Sequence, residues 1–103
     1  MMSPESASLL EAVAAVRLML DSGKNDESTK VKVGQCLMVI FDASQSIPGG
    51  GAYIRETLSS LRYCVRTIFS GRKLYDSEAK QRATESLDKI QNRVRGPDVE
   101  NEL

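Results

Sequence analysis

The sequence predicts an all-α protein, a four-helix bundle built from two helical hairpins. Three observations support this fold class. Apolar residues recur at three- and four-residue spacing in four separate stretches. Capping residues, glycines or prolines bound each stretch. With only 5% aromatic residues and no Trp, the core must be aliphatic, which favours packed helices over a sandwich or barrel.

The first helix is predicted to begin at Ser3-Pro4 and to end at Gly23. Ser is a good N-cap, Pro fits the first helical position, and Gly suits the position after the last turn. The core stripe of this helix consists of Leu9, Val13, Val16 and Leu20. Other apolar residues spread over most of its circumference, which indicates a central helix or one covered by a second copy of the protein. We therefore predict self-association through Leu10, Leu18 and Met19.

The second helix is predicted at residues 28–46 and contains the hydrophobic run 31–41. As a helix, this run places Val33, Leu37 and Ile40 on one side. As a strand it alternates only at residues 31–33, and residues 36–41 show no period of two. Its β-branched residues keep a strand as the alternative. Gly34 within it indicates a close backbone approach or a shorter helix.

A Pro-Gly-Gly-Gly segment at residues 48–51 separates the two hairpins. Its glycines precede a helix and resemble a phosphate-holding turn, although a flexible connector is the commoner explanation. The third helix is predicted at residues 52–70, with Ile54, Leu58, Leu61, Val65, Ile68 and Phe69 as its apolar face. The fourth begins at Asp76 or Ser77 and ends at Gly96-Pro97, with Ala79, Ala83, Leu87, Ile90 and Val94 as its stripe. We therefore predict one helical domain at residues 1–97 and an acidic disordered tail at 98–103.

Several kinds of chemistry are excluded by composition. The chain has no His, so imidazole catalysis and His-ligated metals are ruled out. Cys36 and Cys64 are too few for a zinc site, and they are expected to be free thiols, with one disulfide between the halves as the alternative. Asp42 is the only acid expected to be partly desolvated. We expect no enzyme, no cofactor and no metal.

The apolar residues 9–20 follow no basic region and are too few to span a bilayer. They also include Glu11 and Arg17. We therefore expect a soluble, intracellular (cytoplasmic) protein that does not enter the membrane.

Charge is unevenly distributed, although the formal net charge is zero. Within residues 52–96, bases outnumber acids two to one. One line of the third helix, to within about 20°, carries a set of basic residues that we name the arginine row: Arg55, Arg62, Arg66 and Lys73. These residues have no acidic neighbour one turn away on that helix. The commoner explanation is that they pair with Asp21, Asp26, Glu27 or Asp42. The alternative is a partner-binding surface.

The function predicted from these features is a small helical protein-interaction module, acting as an adaptor, an assembly factor or a chaperone-like regulator. The alternative is a nucleic-acid-binding protein that uses the arginine row. Against that alternative stand the zero net charge, the scarcity of aromatic residues for stacking, and the lack of a helix-turn-helix or basic-region signature.

Overall fold

The computed structural model describes residues 3–24, 26–47, 51–70 and 76–102. Helix α1 spans Pro4–Asp21, α2 spans Glu27–Ser44, α3 spans Gly51–Ile68 and α4 spans Asp76–Glu102. No strand occurs in these ranges, and the run at residues 31–41 is helical. Helix α1 packs chiefly on α2, and α3 on α4, while contacts between α2 and α3 and between α1 and α4 close the bundle. The predicted all-α bundle of two hairpins is confirmed.

Local side-chain chemistry fixes the ends of the first hairpin. The Ser3 hydroxyl accepts a hydrogen bond from the Ser6 N–H at 3.1 Å, which caps α1. Gly23 follows α1 with φ of 72°, in the left-handed region that glycine adopts without strain. The Asp26 carboxylate accepts the Thr29 N–H at 3.1 Å, and this capping bond holds the pKa of Asp26 below its ordinary value. These caps confirm the start of α1 and the break between α1 and α2.

The core is built from the apolar stripes of all four helices. Burying one such aliphatic side chain stabilises the fold by about 1.5–3 kcal/mol, so the stripes dominate the stability. Phe41 and Phe69 only flank this cluster. The fully or almost fully buried members include Leu9, Val13 and Val16 of α1, Val33, Leu37 and Ile40 of α2, Ile54, Leu58 and Leu61 of α3, and Ala83, Leu87 and Ile90 of α4.

Helix α4 does not end at Gly96-Pro97, because its helical backbone continues to Glu102. Pro97 lacks the N–H that would bond to the carbonyl of Arg93, but a proline inside a helix removes one hydrogen bond without necessarily ending the helix. The helix end predicted at this dipeptide is therefore wrong. The boundary between a domain at residues 1–97 and an acidic tail stays a prediction.

Two helical glycines have opposite surroundings. Gly34 is exposed, and no atom lies within 4 Å of the position that a Cβ would take, so the close approach predicted there is absent within the described part of the chain. Gly51 is buried, and a Cβ there would overlap the Ser44 carbonyl oxygen. That carbonyl is a hydrogen-bond acceptor and would repel an anion at Gly51. The rest of the predicted hinge, residues 48–50, lies outside the described residues.

Alanine substitution of these two glycines should change stability in opposite directions. Gly34→Ala should stabilise the fold by about 0.5–1 kcal/mol, because it removes the helix-propensity cost of glycine and meets open space. Gly51→Ala should destabilise it by about 1–3 kcal/mol, because the backbones of α2 and α3 must separate. Urea denaturation of both variants checks this, and destabilisation by Gly34→Ala would contradict the open surface at that position.

Candidate partner-binding face

Arg62 lies across the outer edge of α2. Its Cζ lies 5.9 Å from the centroid of the Phe41 ring, and its Nη2 lies 3.9 Å from the Met38 Sδ. A cation at this distance from an aromatic face is weakly attracted by the ring, by about 0.5–1 kcal/mol at an exposed site. The contact holds the aliphatic stem of Arg62 along the surface, while its guanidinium stays accessible.

The other residues of the arginine row face different neighbours. Arg66 lines an open cleft between the end of α3 and the start of α4. Arg55 is half-buried near the start of α3, with its Nη1 close to Gly51. Lys73 lies outside the described residues. The row predicted as one line is therefore divided, because Arg62 contacts α2 whereas Arg66 lies beside α4.

The ion pairs among the described residues do not involve this row. They join Arg17 to Asp88 at 2.8 Å, Lys80 to Asp21 at 3.8 Å and Arg82 to Glu78 at 2.8 Å. No carboxylate described by the structure lies within ion-pair distance of Arg55, Arg62 or Arg66. Pairing with acids of the first half, the commoner explanation of the row, is therefore not found in this part of the chain.

The four acids proposed as partners have other surroundings. Asp21 pairs with α4, and Asp26 caps α2. Glu27 and Asp42 are exposed, so the expectation that Asp42 is partly desolvated is wrong. Asp42 follows the buried run in sequence, but it lies on the side of α2 opposite Val33, and the helix therefore turns it to solvent.

One continuous surface combines apolar side chains with the accessible guanidinium. Val31 and Met38 are about half exposed, at 50% and 54%, and Gly34 lies between them at helical spacing. We name Val31, Gly34, Met38, Phe41 and Arg62 the α2–α3 face. Exposed apolar groups beside an arginine are typical of the centre of a protein–protein interface.

The cleft between α3 and α4 has a volume of about 450 Å³. Its polar groups are largely engaged already, since Arg82 pairs with Glu78, and the hydroxyls of Thr67 and Ser70 donate to backbone carbonyls at 3.1 and 2.7 Å. The cleft is lined by Tyr63, Cys64, Arg66, Thr67, Ser70, Glu78, Ala79 and Arg82. Among its charged groups, Arg66 is the one that no described ion pair engages.

Cys36 and Cys64 are free thiols, as predicted. Burial raises the pKa of both, so the reactive thiolate is scarce at neutral pH. Nearby Arg82 opposes this shift at Cys64 but does not reverse it. No group of three or more metal-ligating side chains occurs in the part of the chain that the structure describes.

The three residues predicted for self-association are placed differently. Leu18 is 71% exposed, Leu10 is half-buried, and Met19 packs against the core of its own chain. Met19 follows Ala12 by two turns and shares the side of α1 on which Ala12 is buried. The expectation that Met19 faces outward is wrong, and only Leu18 remains on the outer side.

Two contacts between distant residues were not predicted from the sequence. Arg17 of α1 donates to Asp88 at 2.8 Å and to Gln91 at 3.2 Å, both on α4. Arg93 of α4 lies over the Tyr53 ring of α3, with its Cζ 4.9 Å from the centroid. The sequence carries no local signal for either contact, because each depends on which helices are neighbours and on their register.

The chain matches no protein-family model, no curated protein and no solved structure. Within the described ranges, none of the helices combines the length and the apolar character needed to cross a membrane.

Both thiols should react slowly with iodoacetamide at neutral pH. Burial raises both pKa values above that of ordinary cysteine, so the thiolate fraction is smaller in the folded chain and grows as pH rises towards those pKa values. Mass spectrometry of timed samples measures the alkylation rate of each thiol and compares it with that of glutathione as a reference thiol. The urea-unfolded chain is the control. Alkylation of the folded chain as fast as that of the unfolded chain at pH 7.5 would contradict the thiol burial.

Proposed function

We propose that this chain is a small, non-enzymatic helical module that binds a protein partner through the α2–α3 face, as an adaptor, an assembly factor or a chaperone-like regulator. One observation carries the proposal. Arg62 lies on Phe41 and against Met38, no described carboxylate pairs with it, and half-exposed Val31 lies on the same side of α2.

Arg62 has the properties of an interface anchor. A long arginine side chain normally loses rotamer freedom when it binds, and contact with Phe41 restricts that freedom beforehand. Its guanidinium can still donate several hydrogen bonds to a partner carboxylate. The raised thiol pKa values, and the lack of a metal-ligating group among the described residues, support a binding role over a catalytic one.

Nucleic-acid binding, the alternative function, has less support from the arrangement of the arginines. A groove for a phosphate backbone needs a continuous series of cations, whereas Arg62 and Arg66 face different helices. A salt titration distinguishes the two functions, because binding through phosphates weakens steeply as salt rises and apolar helix docking does not.

Arg62→Gln should remove partner binding while the fold is kept. The exposed contact with Phe41 contributes at most about 1 kcal/mol, so the melting temperature should fall by only a few degrees. Loss of a desolvated arginine anchor should cost about 2 kcal/mol or more in affinity. The measurement is capture of proteins from a native extract on the immobilised chain, followed by quantitative mass spectrometry.

Arg95→Gln is the matched control, since it removes the same charge from an exposed position on α4. Proteins retained by the unchanged chain and by this control should be missing from Arg62→Gln. Equal retention by all three chains, with equal melting curves, would refute binding through this face. A large loss of melting temperature in Arg62→Gln would instead give Arg62 a structural role.

Self-association through α1 is part of the proposal, and Leu18 supports it because it is 71% exposed and lies opposite the core stripe. Leu18→Glu should lower the sedimentation mass and leave the melting temperature of the monomer nearly unchanged, since the side chain makes little contact within its own chain. Analytical ultracentrifugation over a range of concentrations measures this. An unchanged mass would leave Leu18 as an ordinary exposed side chain.

A further inference from the structure

We propose that the α2–α3 face binds one α-helix of the partner, and that this helix crosses α2 at Gly34 and turns its acidic side chains towards Arg62 of α3. This inference rests on the proposed function and specifies the chemistry of the partner. It combines the gap at Gly34, the apolar groups on either side of it and the unequal charge of the two edges of the face.

Gly34 lies in the interior of α2, where nothing within the described chain requires a glycine. Its φ is not positive, so the backbone conformation suits any residue. No atom lies within 4 Å of its Cβ position, so no internal neighbour needs the space. Glycine at such a position lowers helix stability relative to alanine. Its remaining physical use is to let an external backbone approach α2 closely.

The apolar neighbours of Gly34 complete a shallow site. Val31 lies one turn before it and Met38 one turn after it, and both are about half exposed. A gap between two apolar groups along a helix matches the way an amphipathic helix docks, with its own apolar side chains at positions i, i+3, i+4 and i+7. Met38 can adapt to the shape of such a ligand, because its unbranched thioether chain changes conformation easily.

The two edges of the face differ in charge. The α3 edge carries the exposed guanidinium of Arg62, which no described ion pair reaches. On α2, exposed Glu27 and Asp42 lie towards the two ends and are balanced by exposed Lys30 and Lys32. A docked helix is therefore favoured when its acids face α3, where carboxylates could pair with guanidinium groups.

The same charges disfavour a second copy of this chain as the occupant. A two-fold symmetric pairing would place the same surface on both sides of the interface. The cationic α3 edges of both copies would then lie in one interface, and the exposed acids of α2 could not compensate them, because Lys30 and Lys32 balance those acids. A partner helix with its own acids avoids that cost.

The test uses a synthetic amphipathic peptide of about 20 residues, with leucine and alanine along one stripe and glutamate flanking it. One Trp in the peptide gives a selective fluorescence signal, because the chain contains no Trp. The control peptides carry lysine in place of glutamate, or a central proline that breaks the helix. The full chain should bind the glutamate peptide and neither control.

Gly34→Ala is the decisive variant, because it should stabilise the fold and weaken binding together. Filling the gap should lower peptide affinity about tenfold, which corresponds to about 1.4 kcal/mol, and the larger Gly34→Gln should lower it further. Val39→Ala, at an exposed position about 140° round α2 from Gly34, is the control and should bind as the unchanged chain does. Lower affinity in a more stable chain cannot result from unfolding.

The remaining outcomes separate this inference from the proposed function. If Arg62→Gln loses its partner proteins while the Gly34 variants keep both peptide and partners, the partner-binding function stands and the helix crossing at Gly34 is refuted. Equal binding of the glutamate and lysine peptides would refute the acidic partner. If the chain dimerises and Gly34→Gln makes it monomeric, the occupant is a second copy and the proposal is wrong.

Discussion

The close approach of Ser44 and Gly51 is the constraint on which the arrangement of the two hairpins depends. Ser44 is fully buried, its hydroxyl donates to the Phe41 carbonyl at 2.6 Å, and its own carbonyl lies against Gly51. A residue with a Cβ at that position would hold α2 and α3 further apart. Because the two helices meet there, α3 runs beside the outer side of α2, and Arg62, about three turns along α3 from Gly51, reaches Phe41.

The positive charge left on α3 follows from how the bundle closes elsewhere. Helix α4 contacts the first hairpin through two ion pairs. It supplies the acid of one pair, Asp88 with Arg17, and the base of the other, Lys80 with Asp21. Each of these side chains is at least partly exposed, so the pairs contribute modestly to stability and chiefly fix the register of α1 against α4. They also engage Asp21, an acid that could otherwise have paired with the arginines of α3. The zero net charge of the chain is therefore compatible with a cationic edge.

The sequence predicted the fold through local signals and missed features that depend on neighbouring helices. Ser3 and Asp26 cap helices wherever they fold, and Val33 and Leu37 share a side because α-helical periodicity demands it. Met19 was misplaced because its contact with the core depends on how the other helices cover α1. Arg55, Arg62 and Arg66 lie on α3, but the division of these residues between α2 and α4 depends on interhelical packing. Gly34 was recognised as a helix-propensity cost, whereas its open surroundings require coordinates.

Stability and binding make opposite demands on α2. The buried side, with Val33, Leu37 and Ile40, is filled by branched aliphatic groups that hold one packing arrangement. The outer side contains a glycine, a flexible methionine and an arginine on an aromatic ring, which stabilise the fold much less. If α2 only supported the core, this outer side would lower the stability of the helix without a compensating use, because alanine at position 34 has a higher helix propensity than glycine. It is useful if a second helix docks, because the gap admits its backbone and Arg62 is already held in place. The proposed docking of a partner helix would account for the composition of this outer side, which the packing of the fold does not require.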